Sequence, residues 1–381
     1  MRIGLLGFTF HNANKGCEAL TYSFINIINN ILPDNIEYRY YSYSDDYGLV
    51  RNHFPDTVFT NYSLTRKKIL TGLLSDFKSC DIIFDISYGD GFSDIYNPKG
   101  VFWNTLVKSI AIKSKRPLVL LPQTYGPFER KFLEKQAAKA IKKSALVYSR
   151  DNMSTEYIKH ITGLSAITVT DLAFTLPYEK ASVAKSNKTK IGINVSGLLW
   201  KGGFYNSNQF GLSVDYKTYI ETIIESLSAN SQNELYLIPH VIENIQGSND
   251  GDLYINDILS KKYSSLIGAP AFKDPVETKN YIACMDVVIA ARMHATVDAF
   301  SSGVPVIPFA YSRKFEGLYG SLGYNYIIDG KTLSTEEAIR QTLSWIENKD
   351  TIKKDLTTCS KLVDEKTDMF INSLKSFLIS T

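Results

Sequence analysis

Two residues whose side chains could take part in a reaction follow a predicted buried strand in the second half of the chain. The apolar run Val287–Ala290 leads into Arg292 and His294, then a short amphipathic segment, Gly303 and a second apolar run, Val304–Phe309. This order predicts a strand–helix–strand unit, and ligands of open α/β sheets bind beyond the carboxyl ends of the strands. Arginine binds carboxylate or phosphate in a forked geometry, and histidine moves protons near neutral pH. The stretch therefore predicts an anion site with an acid/base group.

Other cationic and titratable residues also follow predicted strands. Arg150 does so in the first half, and His240 and Lys314 in the second. Three cations and two imidazoles favour an anionic substrate. Asp298 lies four residues after His294, so on a helix its carboxylate could orient the imidazole. Two structural alternatives stay open at this point: Arg150 in a surface or interdomain salt bridge, and His294 as a hydrogen-bonded core histidine.

A loop with two carboxylates follows another predicted strand, Asp81–Ile86. Asp90 and Asp94 stand there among glycines and serines, which suits hydroxyl binding. Asx-turn chemistry without a ligand explains the same pattern equally well. The four cysteines are widely scattered, so we predict no zinc site, and the sequence gives Cys17 no nearby base that favours a nucleophile role. No Asp-x-Asp pair predicts a magnesium site, and we expect no cofactor.

Composition and charge limit the class of protein. The chain has 381 residues, which predicts two domains. Hydrophobic residues make up 44% and charged residues 21%, which is typical of a globular protein rather than a disordered one. A net charge of +3 argues against general nucleic-acid binding. The first residues are too few for a signal-peptide core and no run is long enough for a membrane span, so we expect a cytoplasmic protein.

Strand and helix patterns alternate on both sides of a polar linker, Glu179–Lys190. Such alternation predicts an α/β fold with two Rossmann-like, doubly wound domains facing each other across a cleft. We expect an N-terminal domain over residues 1–180 and a C-terminal domain over residues 190–350. The C-terminal segment, residues 351–381, is predicted to be helical, with an apolar stripe that docks onto a domain. The stripe consists of Met369, Phe370, Leu374, Phe377 and Leu378.

Several short motifs, taken in order, resemble those of the polysaccharide pyruvyl transferase family. Each motif alone is unspecific, and their order and spacing carry the resemblance over most of the chain. They are Asn14–Leu20, Gly89–Asp94, Pro122–Phe128, Ser149–Ser154, Asp171–Phe174, Pro239-His240, and Arg292–His294 through Gly303–Pro305 to Tyr311 and Lys314.

The resemblance implies a fold similar to GT-B glycosyltransferases, with the last helix crossing back to the first domain. It implies phosphoenolpyruvate as donor, a glycan acceptor, and a cyclic pyruvate ketal of the 4,6 type as product. The glycan would be a bacterial capsule or exopolysaccharide, or its lipid-linked precursor, which makes transient contact with the inner membrane surface an expectation. By position, the catalytic residue would be His294, and the donor-binding residues would be Arg150, Arg292, Lys314 and His240. We expect acceptor contacts from Asn14, Glu18, Asp90, Asp94 and Gln123.

Two other functions fit the same fold. One is a GT-B glycosyltransferase that uses a nucleotide sugar, and the other is a sugar-binding protein without catalysis. Fold alone does not separate them, because unrelated reactions share one scaffold. Binding of a nucleotide diphosphate in place of phosphoenolpyruvate would identify the first. Acceptor binding without turnover would identify the second.

Overall fold

The computed structural model describes residues 1–32, 36–43, 53–94, 98–180, 187–203, 207–243, 245 and 250–380. It divides the chain into two compact units. The first unit contains Met1–Asn12, Leu20–Leu172 and Glu365–Thr381, and the second contains Ala13–Ala19 and Ala173–Asp364. Residues 181–186 of the predicted linker lie outside the described residues.

The first unit is built on a parallel sheet with strand order β3-β2-β1-β4-β5-β6-β7. The strands are β1 (Arg2–Leu6), β2 (Glu37–Ser42), β3 (Val58–Ser63), β4 (Ile82–Asp85), β5 (Leu118–Leu120), β6 (Leu146–Ser149) and β7 (Ile167–Thr168). The helices are α1 (Lys15–Ile31), whose first residues cluster with the second unit, α2 (Arg66–Thr71), α3 (Leu73–Lys78), α4 (Pro98–Lys113), α5 (Lys131–Lys143) and α6 (Asn152–Thr162). The order reverses between β1 and β4, which places a topological switch point there.

The second unit contains a parallel sheet with strand order β10-β9-β8-β11-β12-β13. The strands are β8 (Thr189–Asn194), β9 (Asn233–Leu237), β10 (Leu266–Gly268), β11 (Val287–Ala290), β12 (Val306–Ala310) and β13 (Ile328–Asp329). The helices are α7 (Gly197–Trp200), α8 (Tyr216–Ser228), α9 (Asp252–Lys262), α10 (Pro275–Ile282), α11 (Met293–Ser301), α12 (Arg313–Gly320), α13 (Thr335–Glu347) and α14 (Lys349–Ser380). Its switch point lies between β8 and β11, where Ala290 pairs with Asn194.

Burial and capping explain why these segments fold as they do. Every residue of β4, β5, β11 and β12 is buried, as expected for parallel strands covered on both faces. The side chain of Asp151 accepts the Ser154 N–H and caps α6, which Gly163 ends with a left-handed φ of 76°. Asp151 is therefore the N-cap of this helix. The predicted α/β class with two parallel sheets is confirmed.

Helix α14 divides between the units. Residues up to Asp364 cluster with the second unit, and Glu365–Thr381 cluster with the first. Within the first unit, Phe370 packs edge-on against the ring of Tyr148, at 4.9 Å between centroids. Of the predicted apolar stripe, Phe370, Leu374 and Leu378 are buried, whereas Met369 is 50% exposed, so its predicted burial was wrong.

Candidate functional site

The predicted site residues fall into two groups, one in each unit. The second unit holds Asn14, Glu18, His240, Arg292, His294 and Lys314, and the first holds Asp90, Asp94, Gln123 and Arg150. Each group is described within its own unit.

His294 stands at the switch point of the second unit. It is the second residue of α11, directly beyond the carboxyl end of β11, and its side chain is half-buried. The backbone of Gly16 approaches the ring so closely that a Cβ at this position would lie 2.2 Å from Nδ1 of His294. Asn14 holds this turn, because its Oδ1 accepts the Gly16 N–H at 3.0 Å. The first loop of the chain and the imidazole therefore form one packed arrangement.

His240 is held by the carboxylate of Asp298, which lies on α11, the helix that also carries His294. The Nε2 of His240 donates to Oδ2 of Asp298 at 3.0 Å, and both side chains are 1% exposed. The sequence suggested that Asp298 orients His294. In the structure the carboxylate of Asp298 instead pairs with His240. The carbonyl of His240 accepts the Lys15 N–H at 3.0 Å. This bond ties the strand end after β9 to the start of α1.

Glu18 and Lys15 form a buried ion pair in the first turn of α1. Their Nζ–Oε2 distance is 2.9 Å, and both side chains are at most 5% exposed. The Lys15 ammonium also donates to the carbonyl of Lys273 at 3.0 Å. These contacts fix the turn that carries Gly16 against His294. An acceptor contact from Glu18 stays a prediction.

Arg292 is bound by carboxylates of its own unit. Its Nη2 lies 2.7 Å from Oδ1 of Asp252 and 2.7 Å from Oδ1 of Asp250. Burial lowers the pKa of Arg292, but the two carboxylates more than offset it and hold the pKa above its usual value. Asp252 also accepts the Gly197 N–H and a side-chain N–H of Asn194. The guanidinium thus fixes the strand ends around the switch point, and its donor-binding role stays a prediction.

A buried lysine that sequence reasoning missed lies in the same unit. Lys279 on α10 is 1% exposed, and its Nζ donates to the carbonyl of Leu176 at 2.7 Å. Burial lowers the pKa of Lys279 to about 8, against an opposing effect of the Asp298 carboxylate. No local pattern distinguishes this lysine from a solvated one. Lys314, by contrast, is half-buried with its ammonium 5.2 Å from the ring centroid of Tyr311.

In the first unit, Arg150 follows β6 and is 1% exposed. Its Nη1 donates to Oδ2 of Asp171 at 2.6 Å, and Nε and Nη2 both donate to the hydroxyl of Thr124, at 3.0 and 2.7 Å. Arg150 therefore forms a salt bridge with Asp171, but it is a buried one within the first unit rather than the surface or interdomain salt bridge that the sequence left open. These contacts use three of the five guanidinium N–H groups. Anion binding by the others stays a prediction.

Asp94 and Gln123 are fully buried, and both form hydrogen bonds within the first unit. The carboxylate of Asp94 accepts the backbone N–H groups of Glu129 and Arg130, at 2.7 and 3.0 Å, just before α5. Gln123 Nε2 donates to Asp85. Asp90 differs from both, because it is half-buried and lines a cavity of about 670 Å³.

The described residues contain no group of three or more His, Cys, Asp or Glu side chains arranged to hold a metal ion. Within the same part of the chain, no helix combines the length and apolar character that a membrane crossing requires.

The overall arrangement of elements is similar to several solved structures at low sequence identity. A Listeria monocytogenes protein assigned as a UDP-N-acetylglucosamine 2-epimerase gives a TM-score of 0.66 at 12% identity, over 100% of this chain and 97% of that one. Staphylococcus aureus MnaA with UDP gives 0.63 at 10% identity, over 99% and 96%. The trehalose-phosphate synthase (UDP-forming) from Burkholderia vietnamiensis gives 0.53 at 8% identity, over 98% and 99%. These likenesses establish the GT-B fold and no more.

Sequence comparison identifies the family. No curated protein sequence matches the chain significantly. The family model described as polysaccharide pyruvyl transferase matches residues 14–313. The match begins at Asn14, which caps the turn against His294, and ends at Arg313, the first residue of α12. The chain therefore belongs to the polysaccharide pyruvyl transferase family.

Proposed function

We propose that the protein transfers the pyruvyl group of phosphoenolpyruvate to a glycan acceptor and forms a cyclic 4,6-type ketal. A proton adds to the methylene carbon of the donor, which makes the neighbouring carbon electrophilic. One sugar hydroxyl adds there and loses its proton, phosphate leaves with the bonding pair of its carbon–oxygen bond, and a second hydroxyl closes the ring with loss of its proton. The products are the ketal and inorganic phosphate.

The observation that carries this proposal is the packing of Gly16 against the half-buried imidazole of His294. An imidazole at a switch point, held by backbone on one side, is suited to deliver a proton to one fixed position. In this proposal His294 supplies or relays the proton to the methylene carbon. The nearby helix start of α11 favours negative charge, which suits a phosphorylated donor.

The remaining residues have supporting roles in the proposal. His240, held by Asp298, positions the backbone carbonyl that accepts the Lys15 N–H at the start of α1. Lys314 binds the carboxylate or phosphate of the donor, and Asn14 and Glu18 order the loop that meets the acceptor. Donor binding by Arg150, which lies in the first unit, stays a prediction. Arg292 is already paired with Asp252 and Asp250. We therefore assign it first to the framework that holds the strand ends, and only second to donor binding.

The test is phosphate release from phosphoenolpyruvate in the presence of lipid-linked galactosides and mannosides. We expect His294→Ala to lower the rate roughly 100- to 10,000-fold, the usual contribution of an acid/base group. The exposed His160 on α6 provides a matched control, and His160→Ala should retain the full rate. Undiminished activity in His294→Ala would remove the acid/base assignment.

A nucleotide-sugar reaction is the competing function on this fold. Solved neighbours include a protein in complex with UDP and a UDP-forming synthase. Calorimetric titration with UDP and with phosphoenolpyruvate separates the two functions. Binding of UDP without binding of phosphoenolpyruvate would overturn pyruvyl transfer. Acceptor binding without turnover of either donor would indicate a sugar-binding protein.

A further inference from the structure

A cavity in the second unit lies at the edge of the sheet opposite to His294. Its lining consists of residues 283–286, just before β11, residues 302–305, just before β12, and Lys180, Lys190, Lys349, Asp350 and Lys353. His294 follows the carboxyl end of β11, whose four residues span about 13 Å. The cavity is therefore separate from the candidate site at the switch point.

Basic side chains dominate the charge of this cavity. Its lining contains four lysines against two carboxylates, those of Asp286 and Asp350, which leaves an excess of two positive charges at neutral pH. In the part of the chain that the structure describes, the ion pairs involve none of Lys180, Lys349 and Lys353. The charge of these three ammonium groups is therefore available to a ligand.

Backbone hydrogen bonds hold the backbone of the fourth lysine against one of the carboxylates. The N–H of Lys190 donates to Oδ2 of Asp286 at 2.8 Å, and the N–H of Asp286 donates to the carbonyl of Lys190 at 2.9 Å. This reciprocal pair joins the start of β8 to the start of β11. Because the Asp286 carboxylate already accepts an N–H group, it competes less with a bound anion for the lysine side chains.

The helix ends beside the cavity do not require the lysines as partners. Helices α10 and α11 both end there, and lysines near a helix end often bind its last carbonyls. In α11 the carbonyls of Ala299 and Phe300 already accept the backbone N–H groups of Val304 and Gly303, at 2.9 and 3.0 Å. The last carbonyls of α10 are occupied in the same way. Helix capping therefore does not explain the group of lysines.

The size and charge of the cavity fit a compact anion with a phosphate group. The volume is about 320 Å³, which is at the lower end of the range of small-molecule sites. A phosphate group carries about two negative charges near neutral pH, which matches the excess of positive charge, and lysine binds phosphate as a point charge. At Gly303 a Cβ would meet no heavy atom within 4 Å, so this wall leaves room for a ligand.

We propose that this cavity is an anion site that binds a small phosphorylated molecule through Lys180, Lys349 and Lys353. The site does not depend on pyruvyl transfer, because none of its residues belongs to the predicted donor or acceptor contacts. The bound phosphate joins the first turn of α14 to the starts of β8, β11 and β12. The positive end of the α14 helix dipole, at Lys349, adds to the attraction.

The thiol of Cys284 makes occupancy measurable, because this residue lines the cavity and is half-buried. Labelling of each cysteine by N-ethylmaleimide is followed by peptide mass spectrometry at constant ionic strength, with inorganic phosphate, diphosphate or glycerol 3-phosphate added to the full chain. At a ligand concentration of about four times Kd, we expect labelling of Cys284 to be about fivefold slower. Cys359, a half-buried cysteine of α14 outside the cavity, should be labelled at an unchanged rate.

The three ligands distinguish the source of the phosphate group. Protection by inorganic phosphate identifies a site for the free ion, whereas protection by glycerol 3-phosphate alone identifies a site for a phosphate ester. Unchanged labelling of Cys284 with all three, or equal slowing at Cys284 and Cys359, would overturn the proposal.

Charge variants separate a specific site from general attraction to a basic protein. In calorimetric titration with inorganic phosphate and diphosphate, Lys349→Gln combined with Lys353→Gln should weaken binding at least about tenfold, and Asp350→Asn should tighten it. We expect about fivefold for each unit charge, its effect at about 4 Å in water. Lys354→Gln combined with Lys361→Gln, at exposed positions of the same helix, changes the net charge equally and is the matched control. Equal affinities of the two double variants would overturn the site.

Discussion

Gly16 is the residue on which the position of the His294 imidazole depends most directly. A methyl group at Gly16 would overlap Nδ1 of His294, at 2.2 Å. We expect Gly16→Ala to shift the ring and to lower phosphate release roughly 100-fold, since a displacement of about 1 Å costs that much in a positioned site. The measurement is kcat with phosphoenolpyruvate, alongside the melting temperature.

The control for this variant is another glycine-to-alanine change in the same unit. At Gly320 a Cβ has no heavy atom within 4 Å, so Gly320→Ala should keep both activity and stability. Equal kcat in Gly16→Ala and the native chain would show that the contact does not position the imidazole. Equal losses in both variants would point to a general effect of the substitution.

Lys279 gives the second unit a specific dependence on pH. Because its pKa is lowered to about 8 when folded, the unfolded chain holds a proton between pH 8 and 10.5 that the folded chain has lost. The free energy of unfolding therefore rises with pH in this window, by up to about 1.4 kcal/mol per pH unit. Lys279→Met should remove this rise and be more stable than the native chain at pH 7.

Urea unfolding at pH 7.5, 8.5 and 9.5 measures this contribution as the difference between native and variant curves. Lys261→Met, at an exposed position on α9, should leave the pH dependence unchanged. A parallel pair of curves for Lys279→Met and the native chain would contradict the lowered pKa.

At the scale of elements, Asp252 holds the strand ends of the second sheet together. Its carboxylate accepts from Arg292, Gly197 and Asn194, and it is fully buried. Asp252→Asn leaves the buried guanidinium without its main charge partner, so we expect a loss of about 3–5 kcal/mol in the free energy of unfolding. Asp257→Asn, at an exposed position on the same helix, should cost less than about 0.5 kcal/mol. Equal urea midpoints for the two variants would contradict this assignment.

Elements could be predicted from the sequence more completely than the tasks of their polar residues. Apolar runs identified β4, β11 and β12, because buried parallel strands have a distinct composition. The sequence did not reveal that Asp298 pairs with His240, since the two lie 58 residues apart and meet only through the sheet order. Asp94 likewise resembled an acceptor ligand, and its role in holding the start of α5 depends on a contact 35 residues away.

At the scale of the whole molecule, strand–helix alternation was enough to predict two parallel sheets. The alternation could not assign Ala13–Ala19 to the second unit. These residues include the start of helix α1, and the sequence pattern of that helix does not change at the point where the chain passes into the first unit. Nor could the alternation reveal the cavity that Asp90 lines, whose walls come from residues 6 to 107. Unit membership and cavities depend on strand order, so they can be identified only from the fold. Strands and helices depend on local sequence pattern and can be predicted without it.

The return of the C-terminal helix to the first unit is testable through a pair of neighbouring residues. Phe370 is 1% exposed against Tyr148, while Met369 is 50% exposed. Phe370→Ala should lower the free energy of unfolding by about 3–5 kcal/mol, the usual cost of emptying a buried aromatic site. Met369→Ala, one residue away on the same helix, should cost less than about 1 kcal/mol. Urea unfolding followed by circular dichroism measures both, and similar losses in the two variants would mean that this face of α14 does not pack on the first unit.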